Sequence, residues 1–338
     1  MIRFNKPTID RKDLESVLYC MISDDLTPGA RLKEFRSTLG KLLGLPHVAV
    51  FSSYLFAYET LFGILEARPG DQVIMPSFSR ARILSAVQRR GLVPVLVDLA
   101  EGSLAPDPDQ VRSSLSERTR CVIVPQLFGI PVDLTGYAQL APVLVEDLDG
   151  SLCSSINGRS IGSFGHFVTG CFDDGALITT GNGGMLGSRE RKLQAASEPE
   201  EPAADYLMSD LNASLGLSQL KKLQAMKEKR AAIGSYYDEA VMASSCSLVG
   251  REEGQELCHS RYVVRTETPF QEVARFFKRH GIPVRRALRQ PLHRALGLDP
   301  AGFSRTEEMS ATLVSLPLYP SLGREEVERI ARGIRAVL

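Results

Sequence analysis

Apolar positions along the first 240 residues alternate between helical and strand spacing. Between residues 10 and 43 they follow a helical period that is interrupted at 27–29, which predicts two helices on either side of a turn. Downstream, short β-type runs are separated by helical patterns. The predicted strands lie at 48–51, 72–76, 93–97, 121–125 and 143–146, and the predicted helices at 54–67, 80–90, 107–115 and 134–140. This alternation predicts a parallel or mixed sheet covered on both faces.

A glycine-rich loop with the sequence Gly181-Asn182-Gly183-Gly184 follows these elements. Short apolar runs at 176–180 and 185–188 predict a strand on each side of it. The next segment, 189–206, is charged and contains the proline-punctuated run 198–202, so we expect a disordered loop there.

The remaining pattern describes a long helix and then a smaller unit. Helical spacing runs from Ser209 to Ala240, with an expected kink near Gly216. The composition changes near Ala243, and a strand at 260–266 and helices at 270–280 and 324–337 follow. We therefore expect an α/β protein with two domains. Residues 1–240 would form a large domain with a mostly parallel central sheet, and residues 241–338 a smaller α+β domain.

Composition and charge exclude several classes of partner. Hydrophobic residues make up 43% of the chain and charged residues 24%, which is typical of a soluble globular protein. The 40 basic and 40 acidic residues cancel, so we expect neither nucleic acid nor a membrane surface as a partner. No leader or long apolar stretch is visible, which predicts a cytoplasmic protein. The six cysteines lack CxxC spacing, which favours reduced thiols and no metal site.

Several segments resemble the DegT/DnrJ/StrS-like sugar aminotransferases, which are fold type I enzymes that use pyridoxal phosphate (PLP). The segments that carry the resemblance are 26–35, 69–77, 91–98, 126–133, 145–147, 162–165, 181–185, 208–220 and 313–320. The resemblance implies a large and a small domain, PLP as the family cofactor, a nucleotide-linked keto-sugar as substrate, and a homodimer. The homodimer is also favoured by the apolar positions of 209–220, since a monomer would expose that face.

One departure from the family pattern concerns the covalent chemistry. Ala176 stands where the resemblance places the Schiff-base lysine. A methyl group cannot form an imine or move a proton, so no covalently bound cofactor is expected and no residue is assigned a catalytic role.

Other positions that match the family's cofactor site are changed as well. In the phosphate-binding loop, Ser53 is followed by Tyr54 and Leu55 where the family has glycine and threonine, and Cys171 replaces a serine. Asp147 alone matches the carboxylate that holds the pyridine nitrogen. Because the neighbouring positions are changed, we favour a structural role for Asp147, as a turn cap or an acceptor of backbone N–H groups, over pairing with a cationic ring.

Further residues are candidates for lining a substrate cleft. They are Asp149, Asn182, His259, Arg285, Arg286 and Arg289. The three arginines could bind a nucleotide diphosphate, although arginines are also common on solvated surfaces. For His259, and for His293 in a Pro-x-His motif, roles on a helix or loop surface are the default expectation.

Two functional hypotheses follow. The first is a catalytically degenerate homologue of the nucleotide-sugar aminotransferases, acting as a binding or partner subunit in polysaccharide or nucleotide-sugar metabolism. Its partner would be a nucleotide sugar or an active homologous subunit. The alternative is an active aminotransferase or dehydratase that uses PLP or pyridoxamine phosphate (PMP) in an atypical site. In a variant of the first hypothesis, Tyr54 and Leu55 fill the cleft and the protein binds only other proteins.

Overall fold

The computed structural model describes residues 2–24, 26–191 and 203–337. The strands are β1 (His47–Phe51), β2 (Gln72–Pro76), β3 (Val93–Val97), β4 (Thr119–Pro125), β5 (Leu144–Asp147), β6 (Ser155–Ile156), β7 (Arg159–Ser160), β8 (Phe167–Cys171), β9 (Gly184–Ser188), β10 (Gln255–Glu256), β11 (Tyr262–Arg265), β12 (Arg285–Arg286) and β13 (Leu313–Leu316). The disordered loop expected at 189–206 lies mainly outside the described residues.

Helices cover these strands. They are α1 (Arg11–Ile22), α2 (Ala30–Leu43), α3 (Tyr54–Ile64), α4 (Ala81–Arg89), α5 (Pro108–Ser114), α6 (Thr135–Leu140), α7 (Asp210–Lys221), α8 (Leu223–Met242), α9 (Phe270–Arg279), α10 (Leu292–Ala295), α11 (Ser304–Thr312) and α12 (Arg324–Arg335). Local chemistry fixes several helix ends. The Asp10 carboxylate accepts from the backbone N–H groups of Lys12 and Asp13 and so caps α1, and Gly44 ends α2 in the left-handed conformation.

A seven-stranded sheet in the order β1-β9-β8-β5-β4-β2-β3 forms the centre of the larger part. The neighbours from β3 to β8 pair in parallel, whereas β9 pairs antiparallel with both β8 and β1. The expected α/β class with a mostly parallel sheet is therefore confirmed. Because parallel strands are joined by helices, the sheet is buried on both faces, and side chains at its carboxyl edge converge from several strands.

The predicted strand at 176–180 is wrong, and the strand that lies nearby in the structure, β8, was not predicted. The backbone N–H of Ala176 bonds to the carbonyl of Asp173 at 3.2 Å, and that of Leu177 bonds to the carbonyl of Gly150 at 2.9 Å. These bonds form a turn near the edge of the sheet. Residues 176–180 are buried there. Their apolar character therefore reflects burial in a turn and not a strand.

The long helix predicted from Ser209 to Ala240 is interrupted at Lys222, not at Gly216. Gly216 stays helical because the absence of a side chain lets α7 approach α2. A Cβ atom at Gly216 would lie 2.6 Å from the Phe35 ring. The glycine therefore serves close helix packing.

A second, three-stranded sheet (β11-β13-β12) with α9 and α12 forms a C-terminal core. Ile2 from the start of the chain and Tyr237 from α8 pack into the same core as Ile330 and Ile334 of α12. The domain boundary expected at residue 240 stays a prediction, since packing crosses it in both directions.

The apolar face of α7, which favoured a homodimer, packs inside the molecule against α1 and α2. None of its leucines, at positions 211, 215, 217 and 220, is exposed, so this reason for expecting a homodimer is wrong. Several of the exposed large apolar side chains lie instead on α1. They include Leu14, Leu18, Tyr19, Met21 and Ile22, which are between 53% and 72% exposed.

Within the described residues, no helix has the length and apolar character needed to cross a membrane.

Candidate functional site

The candidate site lies at the carboxyl edge of the central sheet. Asp147 ends β5, Cys171 ends β8, and Ser77 directly follows β2. Since these strands are parallel, their ends meet at one edge, where α/β proteins place ligand sites. Glu146 and Asp147 are neighbours in β5, so their side chains point to opposite faces of the sheet and serve different purposes.

The Glu146 side chain holds the turn at residues 162–165 in place. Its carboxylate accepts from the backbone N–H groups of Gly162, Phe164 and Gly165 at 2.8 to 3.2 Å, and from the Gln126 side chain at 3.0 Å. Burial raises the pKa of Glu146, although these donors oppose the rise. The run 162–165 is therefore an anchored turn that supports β5.

Asp147 is bonded within the protein. The Tyr54 hydroxyl donates to its Oδ2 atom at 2.5 Å, and the backbone N–H of Asp149 donates to Oδ1 at 3.0 Å. The Tyr58 hydroxyl lies 3.4 Å from that of Tyr54 and accepts a bond from Thr169 at 3.1 Å. Burial, with the nearby Asp149 charge, raises the pKa of Asp147 to about 6. The Asp147 carboxylate is thus bonded to the Tyr54 side chain.

Ala176 packs against Gly150, the residue that follows one member of a buried ion pair. Ala176 is 8% exposed, and a Cβ atom placed at Gly150 would lie 2.9 Å from its methyl carbon. One residue before Gly150, Asp149 is 3% exposed and forms a salt bridge with Arg80. A second bridge joins Arg82 to Asp173, which also lies 4.0 Å from Arg80. Charged side chains from α4 and its N-terminus therefore reach the edge where β5 and β8 end.

Residues 52–55, which match the family's phosphate-binding loop, lie at the start of α3 and form hydrogen bonds within the protein. Ser53 caps the helix by accepting from the backbone N–H of Leu55 at 3.2 Å. The Ser52 backbone N–H and hydroxyl both donate to the carbonyl of Tyr206, at 2.8 and 3.1 Å. Phe56 stacks on the Tyr206 ring with centroids 4.5 Å apart. The Ser52 donors and the Leu55 N–H are thus bonded to the protein itself.

These residues do not fit PLP in the manner that the resemblance implies. Position 176 offers no amine, the Tyr54 hydroxyl bonds to Asp147, and Asp149 is paired with Arg80. Burial raises the pKa of Cys171, so this thiol is neutral and a weak donor. No reaction step through PLP is assigned to this site.

A cavity of about 800 Å³ opens next to these groups. We call it the arginine pocket, because Arg80, Arg82, Arg261, Arg285, Arg286 and Arg289 all line it. No carboxylate is found among the described residues of its lining. Phe270, Val284 and Leu288 supply an apolar wall. The pocket combines concentrated positive charge with apolar surface, which suits an anionic organic ligand.

Several of these guanidinium groups are held in position. Arg286 donates to the Ser310 carbonyl at 3.0 Å and lies 4.6 Å from the centre of the Phe270 ring. Arg285 lies 4.4 Å from the centre of the Phe4 ring. Burial lowers the pKa of Arg261, and the neighbouring Arg80 charge lowers it further. An anion in the pocket would relieve this repulsion, so the arrangement favours anion binding.

The other cleft candidates lie elsewhere. Asn182 is exposed and outside the lining of the arginine pocket. His259 is 4% exposed and packs against Gly234 and the Tyr262 ring, so a surface or cleft role is wrong for it. Burial, helped by two nearby arginines, lowers its pKa to about 3.

His293 is also buried, contrary to expectation. Its ring nitrogens lie 2.7 Å from the Ser77 hydroxyl and 2.7 Å from the Glu307 carboxylate. Its backbone N–H donates to the Ser77 hydroxyl at 3.0 Å. The imidazole therefore joins the end of β2 to α11 as part of the packed structure.

Sequence reasoning found three of the pocket arginines and missed Arg80, Arg82 and Arg261. A signal was present for the first two, since they directly follow β2 at the carboxyl edge of the predicted sheet. Arg261 immediately precedes β11, and only the packing of the C-terminal part brings it to the same cavity.

A family model described as the DegT/DnrJ/EryC1/StrS aminotransferase family matches residues 7–335. The fold and the match define an α/β protein of the aminotransferase class, and the chain belongs to this family. One relative is a dTDP-4-dehydro-2,3,6-trideoxy-D-glucose 4-aminotransferase of Saccharopolyspora spinosa, which is 26% identical over 98% of this chain and 95% of its own. Another is a spore coat polysaccharide biosynthesis protein of Bacillus subtilis, at 24% identity over 99% and 96%.

Solved structures show the same fold. A putative sugar aminotransferase of Streptococcus pneumoniae in its PMP-form superposes with a TM-score of 0.92 at 24% identity, covering 99% of this chain and 97% of that one. Its PLP-form gives the same score, and PLP is the family cofactor. An aminotransferase of Streptoalloteichus hindustanus is 27% identical, with a TM-score of 0.89 over 99% and 98% of the two chains.

Proposed function

We propose that this protein is a catalytically degenerate member of the family that binds a nucleotide sugar without aminating it, as a binding or partner subunit in polysaccharide or nucleotide-sugar metabolism. The observation that carries the proposal is the bond between the Tyr54 hydroxyl and Asp147. It engages the carboxylate that a pyridine nitrogen would need, in a chain that has alanine at position 176. Function depends on such a site and not on the shared fold.

The arginine pocket supports the ligand part of this proposal. A pyrophosphate group carries several acceptor oxygens, which match the planar donor forks of Arg285, Arg286 and Arg289. The apolar wall next to them would pack on a base or a sugar. Relatives in the family are named for dTDP-linked and UDP-linked sugars, which carry this group.

We further propose that the protein forms a homodimer through the exposed apolar face of α1. Leu14, Leu18 and Ile22 lie on one side of this helix at spacings of four residues. A contiguous apolar stripe on a helix is usually covered in the assembled protein. Sedimentation of a monomer at micromolar concentration would contradict this arrangement.

The loss of covalent chemistry is tested by restoring the lysine. We expect the wild-type protein and the Ala176→Lys variant, each incubated with PLP, to show no aldimine absorbance and no transfer of an amino group from glutamate. The reason is that Tyr54 still bonds to Asp147, the carboxylate that would hold a pyridine nitrogen, and that the Gly150 backbone packs against position 176. Circular dichroism would verify that the variant is folded. An aldimine band in this single variant would support the alternative, an active PLP- or PMP-dependent enzyme.

Ligand binding is tested by calorimetry with UDP- and dTDP-sugars, inorganic pyrophosphate and PLP. We expect the nucleotide sugars to bind and the Arg289→Gln variant to weaken them by about tenfold or more, since a hydrogen bond to a charged group contributes about 1.5–3 kcal/mol. Arg275→Gln is the matched control, because Arg275 is exposed on α9 and lies outside the pocket lining. Equal affinity in both variants would refute the pocket as the ligand site. Binding of PLP alone would favour the enzyme alternative.

A further inference from the structure

Two cysteines from distant parts of the sequence meet beside the candidate site. Cys153 lies in the loop after β5, and Cys258 lies just before β11. The buried Ser154 hydroxyl joins the two segments, since it accepts from the backbone N–H of Cys258 at 3.0 Å and donates to the carbonyl of Gly129 at 2.8 Å. The two backbones are therefore held side by side in the folded protein.

The two cysteines pack into one apolar cluster and differ in accessibility. Cys258 belongs to the cluster, and Cys153 packs against it. Cys258 is fully buried, whereas Cys153 is half-buried and can be reached from solvent. The pair thus has an accessible member and a buried member in one cluster, which is the arrangement of a reactive thiol with a resolving partner.

The surroundings favour the thiolate form at the accessible member. Hydrogen bonding by the nearby Cys258 thiol, and then the Lys227 charge on α8, lower the pKa of Cys153. The same interaction and burial raise the pKa of Cys258. Other buried thiols lack such help. Burial raises the pKa of Cys121 to about 12, and it also raises that of Cys171. Reactivity should therefore concentrate at Cys153.

We propose that Cys153 is an oxidation site and that it forms a reversible disulfide with Cys258. With hydrogen peroxide, the Cys153 thiolate attacks one oxygen, the O–O bond breaks, and hydroxide leaves, which gives a sulfenic acid. The Cys258 sulfur then attacks the Cys153 sulfur, the S–O bond breaks, and the thiol proton leaves with the hydroxyl group as water. Peroxide is reduced by two electrons, and the two thiols are oxidised to one disulfide.

The disulfide would restrict the movement of two segments that border the arginine pocket and the Asp149–Arg80 ion pair. Cys153 is four residues after Asp149, and Cys258 is three residues before Arg261 of the arginine pocket. A covalent link between them would fix the loop that carries the buried ion pair against the segment that carries a pocket cation. This inference is independent of the proposed ligand, because it depends only on the two thiols and their surroundings.

The test is peroxide treatment of the reduced full-length protein, followed by digestion and mass spectrometry without reductant. We expect one linked peptide pair containing Cys153 and Cys258, with the mass of two hydrogens lost, and the other four cysteines still alkylated as thiols. The Cys258→Ser variant should accumulate a sulfenic acid on Cys153 that dimedone labels, whereas Cys153→Ser should give neither product. Closing a loop of roughly 100 residues should also raise the Tm of the oxidised protein by at least about 4 °C.

Two results would overturn the proposal. One is the absence of the linked pair in the wild-type protein at peroxide levels that already oxidise exposed methionines. The other is oxidation spread evenly over the cysteines, which would show that Cys153 has no special reactivity. Both are read from the wild-type digest, so the proposal stays testable even if a serine variant fails to fold.

Discussion

Replacing Asp149 by asparagine should lower the free energy of unfolding by about 3 kcal/mol. Burial raises the pKa of Asp149, as it does that of Asp147, but here the loss of the carboxylate also leaves the Arg80 charge in a buried site with only the more distant Asp173 to balance it, and we expect that cost to dominate. Asparagine keeps the shape of the side chain. It also tolerates the left-handed backbone of this position, where φ is 48°. Urea unfolding at neutral pH measures the effect.

The matched controls separate charge from shape. Asp174→Asn makes the same change at an exposed neighbouring carboxylate and should shift stability by less than about 0.5 kcal/mol. The double variant Arg80→Gln/Asp149→Asn removes both charges and should recover part of the loss. If the double variant loses at least the sum of the two single variants, the ion pair is not the cause.

Replacing Asp147 by asparagine should have the opposite effect and stabilise the protein by about 2–3 kcal/mol at pH 8. The folded protein holds the pKa of this carboxyl at about 6, above its ordinary value of 3.8, so folding disfavours its ionised form. This penalty is fully present above pH 6. It disappears below about pH 4, where the folded and unfolded states both carry the proton. Asparagine stays neutral at every pH. Its amide oxygen can accept from the Asp149 N–H, and its amide N–H can donate to the Tyr54 hydroxyl oxygen.

The pH profile of unfolding is the decisive measurement for this variant. The gap between Asp147→Asn and wild type should be largest above pH 6 and close as the pH falls to 4. Asp173→Asn is the control with the reverse sign. Burial opposes ionisation of Asp173, but the Arg82 charge holds its pKa below the ordinary value, so this variant should be destabilised near neutrality and lose that deficit in acid. An Asp147→Asn variant that is less stable than wild type at pH 8 would contradict the account.

Much of the fold could be predicted because its elements are encoded locally. The helical period around residues 27–29 and the β-type runs at 72–76 and 93–97 correspond to α1, α2, β2 and β3 in the structure. Where prediction failed, tertiary packing determined the outcome. Apolar residues at 176–180 are buried in a turn, and Gly216 is kept helical by its contact with Phe35.

The site was predictable only in part, for a related physical reason. The hypotheses about Ala176 and Tyr54 come from the resemblance, which implies another residue at each of these positions. The pairing of Arg80 with Asp149 joins residues 69 positions apart, and nothing local in the sequence indicates it. The burial of His259 likewise results from its packing against Gly234 on α8, which a histidine's own sequence neighbours do not reveal.

The burial of Ile2 in the C-terminal core has a consequence for how the chain folds during synthesis. Its neighbours there include Ile330 and Ile334, so this core joins residues that leave the ribosome roughly 330 positions apart. At roughly 5–20 residues per second, the side chain of Ile2 stays without its native neighbours for roughly 20 seconds to a minute. Contacts of such long sequence separation also close slowly, because the loop entropy is lost before the contact is gained. A bulky tag joined directly to residue 2 would disturb this late step while leaving the central sheet free to form.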